Sequence, residues 1–380
     1  MKIMVVFGTR PEVIKLAPVV AEAQRRSDTV QLTICSTGQH REMLHQTLGV
    51  FGIQPDIDLA VMHANQTLSG LTARLMESLG AAMRQSAPDV VLVQGDTTTA
   101  FVAALSAFYL HIPVAHVEAG LRTGDLASPF PEELNRVLIA RMARWHFAPT
   151  AAAVSRLRAE GVNARYIHLT GNTVVDAIAA IQQRWLQPGS SDAVSLLAGS
   201  FFPGRELVLV TAHRRENQGP AMHQICLAIR TLCQQYPELG FVFPVHLSPA
   251  VRTVVHEELS GNISNLLLID PVDFETNLYL QSRSRLIITD SGGIQEEAAS
   301  FAVPTVVMRE NTERMEGVAT GFATLAGTST ETIVRAANAW LADSNAKERL
   351  SSKANPYGDG QAAKRVHDVL QGLPVGAFTP

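Results

Sequence analysis

Acidic and basic side chains cluster in a few short stretches of this 380-residue chain, and those stretches could move protons. Asp96 in QGDTTTA and Glu118 in HVEAGLRTGD each follow a short apolar run, and Glu132 with Glu133 come shortly after in SPFPEELNR, so three loops are expected to deliver carboxylates of the kind that serve as general acids and bases. The plain alternative for a single acid after a strand is a helix cap, and Asp96 before three threonines has that option. His213, followed by Arg214 and Arg215, either meets a diphosphate or serves as a structural hydrogen-bonding residue. Arg10 and Lys15, in and after the turn GTRPE, suit an anionic ligand, with a surface ion pair as the alternative for Arg10.

The stretch LIITDSGGIQEEA (286–298) offers a place for that anion. A buried strand is expected to end at Asp290, the chain to turn through Ser291, Gly292 and Gly293, and a helix to start near Ile294 with its first N–H groups unpaired. Converging N–H groups, a helix dipole and unobstructed glycines make a phosphate cradle; an ordinary N-capped turn is the alternative. Glu296 and Glu297 are expected in the first helical turn, one of them free to accept from a ribose diol.

Positioning these groups requires a particular scaffold. Short β-rich runs (KIMVVFG, LTICS, DVVLVQG, PVAHVE, WHFAPT, RYIHLTG) alternate with helical patterns, the signature of a parallel, doubly wound sheet. The alternation weakens after Gly171, a polar stretch covers 187–206, and a second series follows: LVLVTAH, FVFPVH, NLLLID, RLIITD, PTVVM and FATLAG. The runs are continuously apolar, as in strands buried on both faces. The expected fold class is α/β, with Rossmann-like domains at 1–170 and 171–365 and a C-terminal segment at 366–380. Ligands of such sheets bind beyond the carboxyl ends of the strands, where all the residues above fall. A cleft between two sheets, lined by both signs of charge, is the natural expectation.

Composition narrows the function. A formal net charge of −4 gives no basic field for nucleic acid or anionic lipid, and no apolar stretch is long enough for a membrane span. The opening MKIMVVFGTRPE is too short and too soon punctuated for a signal peptide, which predicts a cytoplasmic chain. Three cysteines, Cys35, Cys226 and Cys233, form no disulfide framework, and the last two, seven apart, read as core residues on one helix. Neither G-x-G-x-x-G nor G-x-x-x-x-G-K-[ST] nor H-E-x-x-H occurs, so no dinucleotide, P-loop nucleotide or metal site is signalled.

Taken together, GTRPE, GQHREML, QGDTTTA, HVEAGLRTGD, SPFPEELNR, GNTVVDA, TAHRREN, PVHLSP, TDSGGIQEEA and NPYGDGQA, in this order over nearly the whole chain, resemble the non-hydrolysing UDP-N-acetylglucosamine 2-epimerases of bacteria. The resemblance implies two Rossmann-like domains of the glycosyltransferase-B type, with the last helix returning to the first domain, and a homodimer. It implies reversible conversion of UDP-N-acetylglucosamine to UDP-N-acetylmannosamine without metal or other cofactor, supplying cell-envelope polysaccharide. Residue by residue it makes Asp96, Glu118 and Glu132 the catalytic carboxylates and puts Arg136 and His213 near the substrate. It assigns Ser291, Gly292, Gly293, Glu297 and Arg314 to UDP, and matches Gln39 and His246 to a second, allosteric nucleotide-sugar site. The chain departs from the family pattern at Asn277, where a large apolar or aromatic residue is usual near the uracil, and at Met315, where proline is usual.

The implied chemistry explains the glycine turn. The hydrogen on carbon 2 has no adjacent carbonyl to acidify it, so direct proton exchange would be very slow. Expelling UDP from carbon 1 lets positive charge develop there, the carbon 2 proton leaves, and a 2-acetamidoglucal remains beside UDP. Rival readings of the same residues are a glycosyltransferase, an epimerase of a modified N-acetylated sugar, and a nucleotide-sugar sensor.

Overall fold

The computed structural model describes all residues except 39–40, 62–65, 188–198, 262, 377 and 380, together with the side chains of 41–43 and 215. The chain divides into two compact α/β units, Met1–Ala180 with Tyr357–Pro380, and Ile181–Pro356. The sequence-level expectation of two Rossmann-like parallel sheets is met in both.

The first unit holds β1 (Lys2–Phe7), β2 (Gln31–Ser36), β3 (Ile57–Asp58), β4 (Val90–Gln94), β5 (Val114–Val117), β6 (Trp145–Ala148) and β7 (Ile167–Leu169). They pair in parallel in the order β3-β2-β1-β4-β5-β6-β7. Strand β3, only two residues long, carries no periodic signal and is absent from the sequence-level list. The continuous apolar runs have a simple cause. Ile3, Val5 and Phe7 of β1 enter one core with Val13, Leu16 and Val20 of the helix Arg10–Arg25, while the alternate residues Met4 and Val6 enter another with Leu75, Leu79 and Val102. Both faces are covered, so every position is apolar.

The C-terminal helix Ala362–Leu370 completes the first of these cores through Ala363, Val366 and Leu370. It is tied to the N-terminal helix by an Arg26–Asp368 ion pair at 2.8 Å and by buried His367, whose Nε2–H donates to the Val19 carbonyl at 2.8 Å.

The second unit holds β8 (Leu207–Thr211), β9 (Gly240–Pro244), β10 (Leu266–Ile269), β11 (Ser284–Thr289), β12 (Thr305–Val307) and β13 (Ala323–Leu325), in the parallel order β10-β9-β8-β11-β12-β13. Cys226 and Cys233 share the helix Pro220–Gln235 and are buried in its core, and all three cysteines are free thiols. Among the described residues no helix is long and apolar enough to cross a membrane.

Each sheet therefore has one place where successive connections diverge: β1 beside β4, and β8 beside β11. Loops leaving neighbouring strands in opposite directions open a crevice at the carboxyl edge. GTRPE and QGDTTTA flank the first crevice, TAHRREN and TDSGG the second.

Close packing behind the first sheet depends on Gly120, at φ +93°, where a Cβ would lie 2.5 Å from the Ala153 carbonyl oxygen. Gly120→Ala is expected to cost about 2 kcal/mol or more of stability, because both the backbone conformation and the space are lost. Urea unfolding would register this as a lower midpoint; an unchanged midpoint would contradict the packing argument.

Candidate functional site

In the first unit the carboxyl-edge loops are organised by Glu12, which is fully buried. Its carboxylate accepts from the Gly8 N–H at 3.0 Å, the Thr9 N–H at 2.8 Å, the Thr9 hydroxyl at 2.8 Å and the Thr97 hydroxyl at 2.7 Å. One acid thus binds the loop after β1 to the loop after β4. Burial pushes its pKa up, against the pull of these four donors.

Asp96 does not cap the following helix; Thr97 does, accepting from the Ala100 N–H at 3.0 Å. That leaves the Asp96 carboxylate for Arg136, whose Nε donates to it at 3.0 Å and whose Nη2 also contacts it. Asn135 Nδ2 holds the Asp96 carbonyl at 2.8 Å. Glu133, a proton-transfer candidate on sequence, is instead buried and consumed by structure: it accepts from Arg136 at 2.9 Å and from the Thr123 and Gly124 N–H groups at 3.0 and 3.1 Å. Its neighbour Glu132, in the first turn of the helix Glu132–Met142, is half-buried and makes no hydrogen bond or ion pair among the described residues.

Glu118 sits just past β5 in the left-handed region, at φ +64°, and its buried side chain forms an ion pair with Lys15. A non-glycine residue in this conformation is uncommon and marks a position where side-chain placement overrides backbone preference. Lys15 is therefore committed to a carboxylate. Arg10, at the first position of its helix, is half-buried and has no partner among the described residues. The first unit thus joins Lys15 to Glu118 and Asp96 to Arg136 just past β1, β4 and β5, with Arg10 and Glu132 each at the first position of a helix that follows.

The second unit repeats the device with Asp290. This fully buried carboxylate, just past β11, accepts from the His213 and Arg214 N–H groups, each at 2.9 Å, and from Asn217 Nδ2 at 3.0 Å. It also faces His213 Nδ1 at 3.2 Å, which orients the imidazole and leaves Nε2 outward. Burial would raise the Asp290 pKa, but the His213 contact and the backbone donors hold it below the usual carboxylate range. His246, exposed on the loop after β9, stacks on His213 with ring centroids 6.0 Å apart, and its pKa is lowered by partial burial and by that neighbour. Gln39 lies outside the described residues.

Ser291 stands at the N-cap of the helix Gly292–Ala299, yet its side chain makes no capping hydrogen bond. The ordinary capped turn is thus not what forms. The helix begins two residues earlier than the sequence suggests, because glycines 292 and 293 already take helical geometry, so Glu296 and Glu297 lie beyond the first turn. Glu296 is buried and pairs with Arg314 Nε at 3.0 Å, while Glu297 accepts from Gln281 Nε2 at 2.6 Å. Arg314 also meets Glu313 at 2.5 Å. Burial alone would raise Glu313, but Arg314 and Arg309 bring its pKa to about 2. A Cβ at Gly292 would lie 3.0 Å from the Arg314 guanidinium, so that glycine lets the cation reach the helix start. Among the described residues no group of three or more His, Cys, Asp or Glu is arranged to hold a metal ion.

A family model described as UDP-N-acetylglucosamine 2-epimerase matches residues 22–371. The chain belongs to that family. Its members are isomerases, and the likeness runs over full lengths. The UDP-N-acetylglucosamine 2-epimerase of Yersinia pestis is 45% identical over 372 residues, covering 98% of each chain. The crystal structure of UDP-GlcNAc 2-epimerase from Neisseria meningitidis bound to UDP-GlcNAc superposes with a TM-score of 0.90 at 42% identity, covering 98% of this chain and 100% of that one. The Methanocaldococcus jannaschii epimerase in complex with UDP-GlcNAc and UDP gives 0.82 at 31% identity, covering 98% and 100%.

Sequence reasoning missed Glu12, Asp290 and Gln281 as organisers. The spacing Thr9-x-x-Glu12 is a capping-box signal that could have found the first. No local signal marks the contacts of Asp290 to His213 and of Gln281 to Glu297, which span 77 and 16 residues.

His116 of β5 is fully buried, and its Nε2–H donates to the Gly95 carbonyl at 2.7 Å, beside Asp96. Burial drops its pKa to about 3 from an ordinary 6.5. Because the fold holds it neutral, its contribution is fully present above about pH 6.5 and is lost as pH falls toward 3, at about 1.4 kcal/mol per pH unit. His116→Gln keeps an amide donor and removes the titration. Its urea-unfolding stability is expected to fall less than that of the natural protein between pH 6.5 and 4.5; parallel losses would contradict the assignment.

Proposed function

We propose that this chain interconverts UDP-N-acetylglucosamine and UDP-N-acetylmannosamine by eliminating UDP and adding it back through a 2-acetamidoglucal. The observation that carries the reading is the division of chemistry between the units. Acids held by opposing cations, Asp96 with Arg136 and Glu118 with Lys15, stand at one sheet's carboxyl edge. At the other, a helix start whose serine does not cap it stands beside Arg314 and His213, which supports the reading of an anion site there.

In this reading the carbon 1 to oxygen bond breaks with its electron pair going to the diphosphate, and a carboxylate takes the carbon 2 proton as the double bond forms. The diphosphate gains charge as it leaves. Backbone N–H groups at 291–293, with His213 and Arg314, then interact more strongly with the transition state than with the ground state. Glu297 accepts from the ribose diol and keeps UDP in place. Return of a proton to carbon 2 from the opposite face, followed by attack of the UDP oxygen on carbon 1, gives the epimer. Asp96, Glu118 and Glu132 supply the acid and the base.

The family likeness extends the proposal to a cytoplasmic homodimer serving cell-envelope polysaccharide. Light scattering after gel filtration tests the dimer: a mass near that of one chain would remove it.

The direct test is proton NMR of the protein with UDP-N-acetylglucosamine in deuterated water, with no sugar acceptor present. Appearance of UDP-N-acetylmannosamine carrying deuterium at carbon 2 is expected. Intact nucleotide-sugar binding without exchange would overturn the substrate or the activity.

Asp96→Asn and Glu118→Gln are each expected to lower turnover about a hundredfold or more while retaining UDP binding, the usual scale for a positioned acid or base. Steady-state rates with UDP titrations check this, and a near-natural rate in either variant would remove that residue from the mechanism.

A further inference from the structure

The helix Phe274–Arg283, capped by Asp273, carries a polar chain whose hydrogen-bond directions are fixed from one end. Gln281 is fully buried. Its Nε2 donates to Glu297 Oε2 at 2.6 Å and, one turn back on its own helix, to Asn277 Oδ1 at 2.7 Å. Its own Oε1 is buried and meets no donor among the described residues.

This arrangement allows one orientation. A carboxylate only accepts, so the Gln281 amide must turn its nitrogen toward Glu297. The second hydrogen on that nitrogen goes to Asn277, which must then present its oxygen to Gln281. The Asn277 amide nitrogen is consequently turned away from Gln281, with hydrogens to give, on a half-buried side chain. A buried carbonyl left without a donor is unfavourable, and an apolar side chain of similar length would avoid it. Retaining glutamine here is therefore explained by what its nitrogen does.

We propose that Gln281 is a positioning residue that fixes the polarity of the nucleoside end of the site, holding Glu297 for the ribose and making Asn277 a donor to a carbonyl oxygen of the base. The proposal rests on the reading that Glu297 holds the ribose of a uridine diphosphate. The base is attached to that same ribose, and Asn277 stands one amide beyond the carboxylate. Uracil offers carbonyl oxygens on its edge, so a donor at Asn277 suits it.

The test is calorimetric titration of the full-length protein with UDP, 2′-deoxy-UDP and ribose 5-diphosphate. Comparing ligands that share a diphosphate cancels general charge effects. The natural protein is expected to prefer UDP over 2′-deoxy-UDP by about tenfold, as for a hydrogen bond to a charged acceptor, and UDP over ribose 5-diphosphate by a clear margin. In Gln281→Met the deoxy preference should shrink to about threefold or less while the unfolding midpoint holds or rises, since the unpaired oxygen is gone. The base margin should fall in Asn277→Ala and fall further in Asn277→Asp, which sets an acceptor against the base carbonyl.

An Asn277→Asp margin equal to or above that of the natural protein would overturn the donor assignment, and unchanged ratios in Gln281→Met would overturn the positioning role. A different failure marks the underlying reading: if the natural protein binds UDP and 2′-deoxy-UDP alike, or neither, the ribose contact falls and the proposal with it.

Discussion

A buried carboxylate stitches together the two loops at each point where a sheet's connections diverge. At the carboxyl edge of a parallel sheet, loops leaving neighbouring strands turn to opposite faces, and their N–H groups lose ladder partners. Glu12 supplies the missing acceptor between β1 and β4, and Asp290 supplies it between β8 and β11. Both are fully buried, where water cannot substitute. Arg10 lies two residues from Glu12 and Ser291 follows Asp290, while Asp96 precedes Thr97 and His213 gives its own N–H, so each of these four side chains stands on or next to a group involved in the network that one of the acids holds. Their positions follow from how the acids bind the backbone.

The same logic separates acids that are consumed by structure from acids that stay partly open. Glu133 and Glu296 are buried and engaged with arginines, whereas their sequence neighbours Glu132 and Glu297 are only partly buried. In both pairs a helix turns one carboxylate inward and the next toward the surface, since adjacent residues on a helix do not share a face. Adjacent glutamates are thus two different devices. Asp96 and Glu118 stand between these two cases, each paired with a cation at the carboxyl edge of the sheet.

Much of this was legible in the sequence because strand interiors are apolar on both sides, and the chemistry is confined to their ends. The runs KIMVVFG, DVVLVQG and RLIITD mark β1, β4 and β11, and the charged stretches after them mark the edges that matter. Strand β3 escaped because two residues have no period. The start of the helix at Gly292 was misread because glycine is usually a helix terminator, and here the space it leaves admits Arg314. The contacts of Asp290 to His213 and of Gln281 to Glu297 could not be read, since folding alone brings those partners together. The polar side chain of Asn277 becomes intelligible in the same way, since it finds a buried polar partner one helical turn away.

If the diphosphate cradle serves a leaving group, as proposed, the bond from carbon 1 to oxygen breaks during turnover. The most direct measurement uses UDP-N-acetylglucosamine carrying oxygen-18 in the bridge between carbon 1 and the β-phosphorus, followed by phosphorus NMR. If UDP departs and rotates before re-adding, the label is expected to move into the non-bridging β-phosphate positions of recovered nucleotide sugar as epimers interconvert. Full epimerisation with the label still wholly in the bridge would contradict the account.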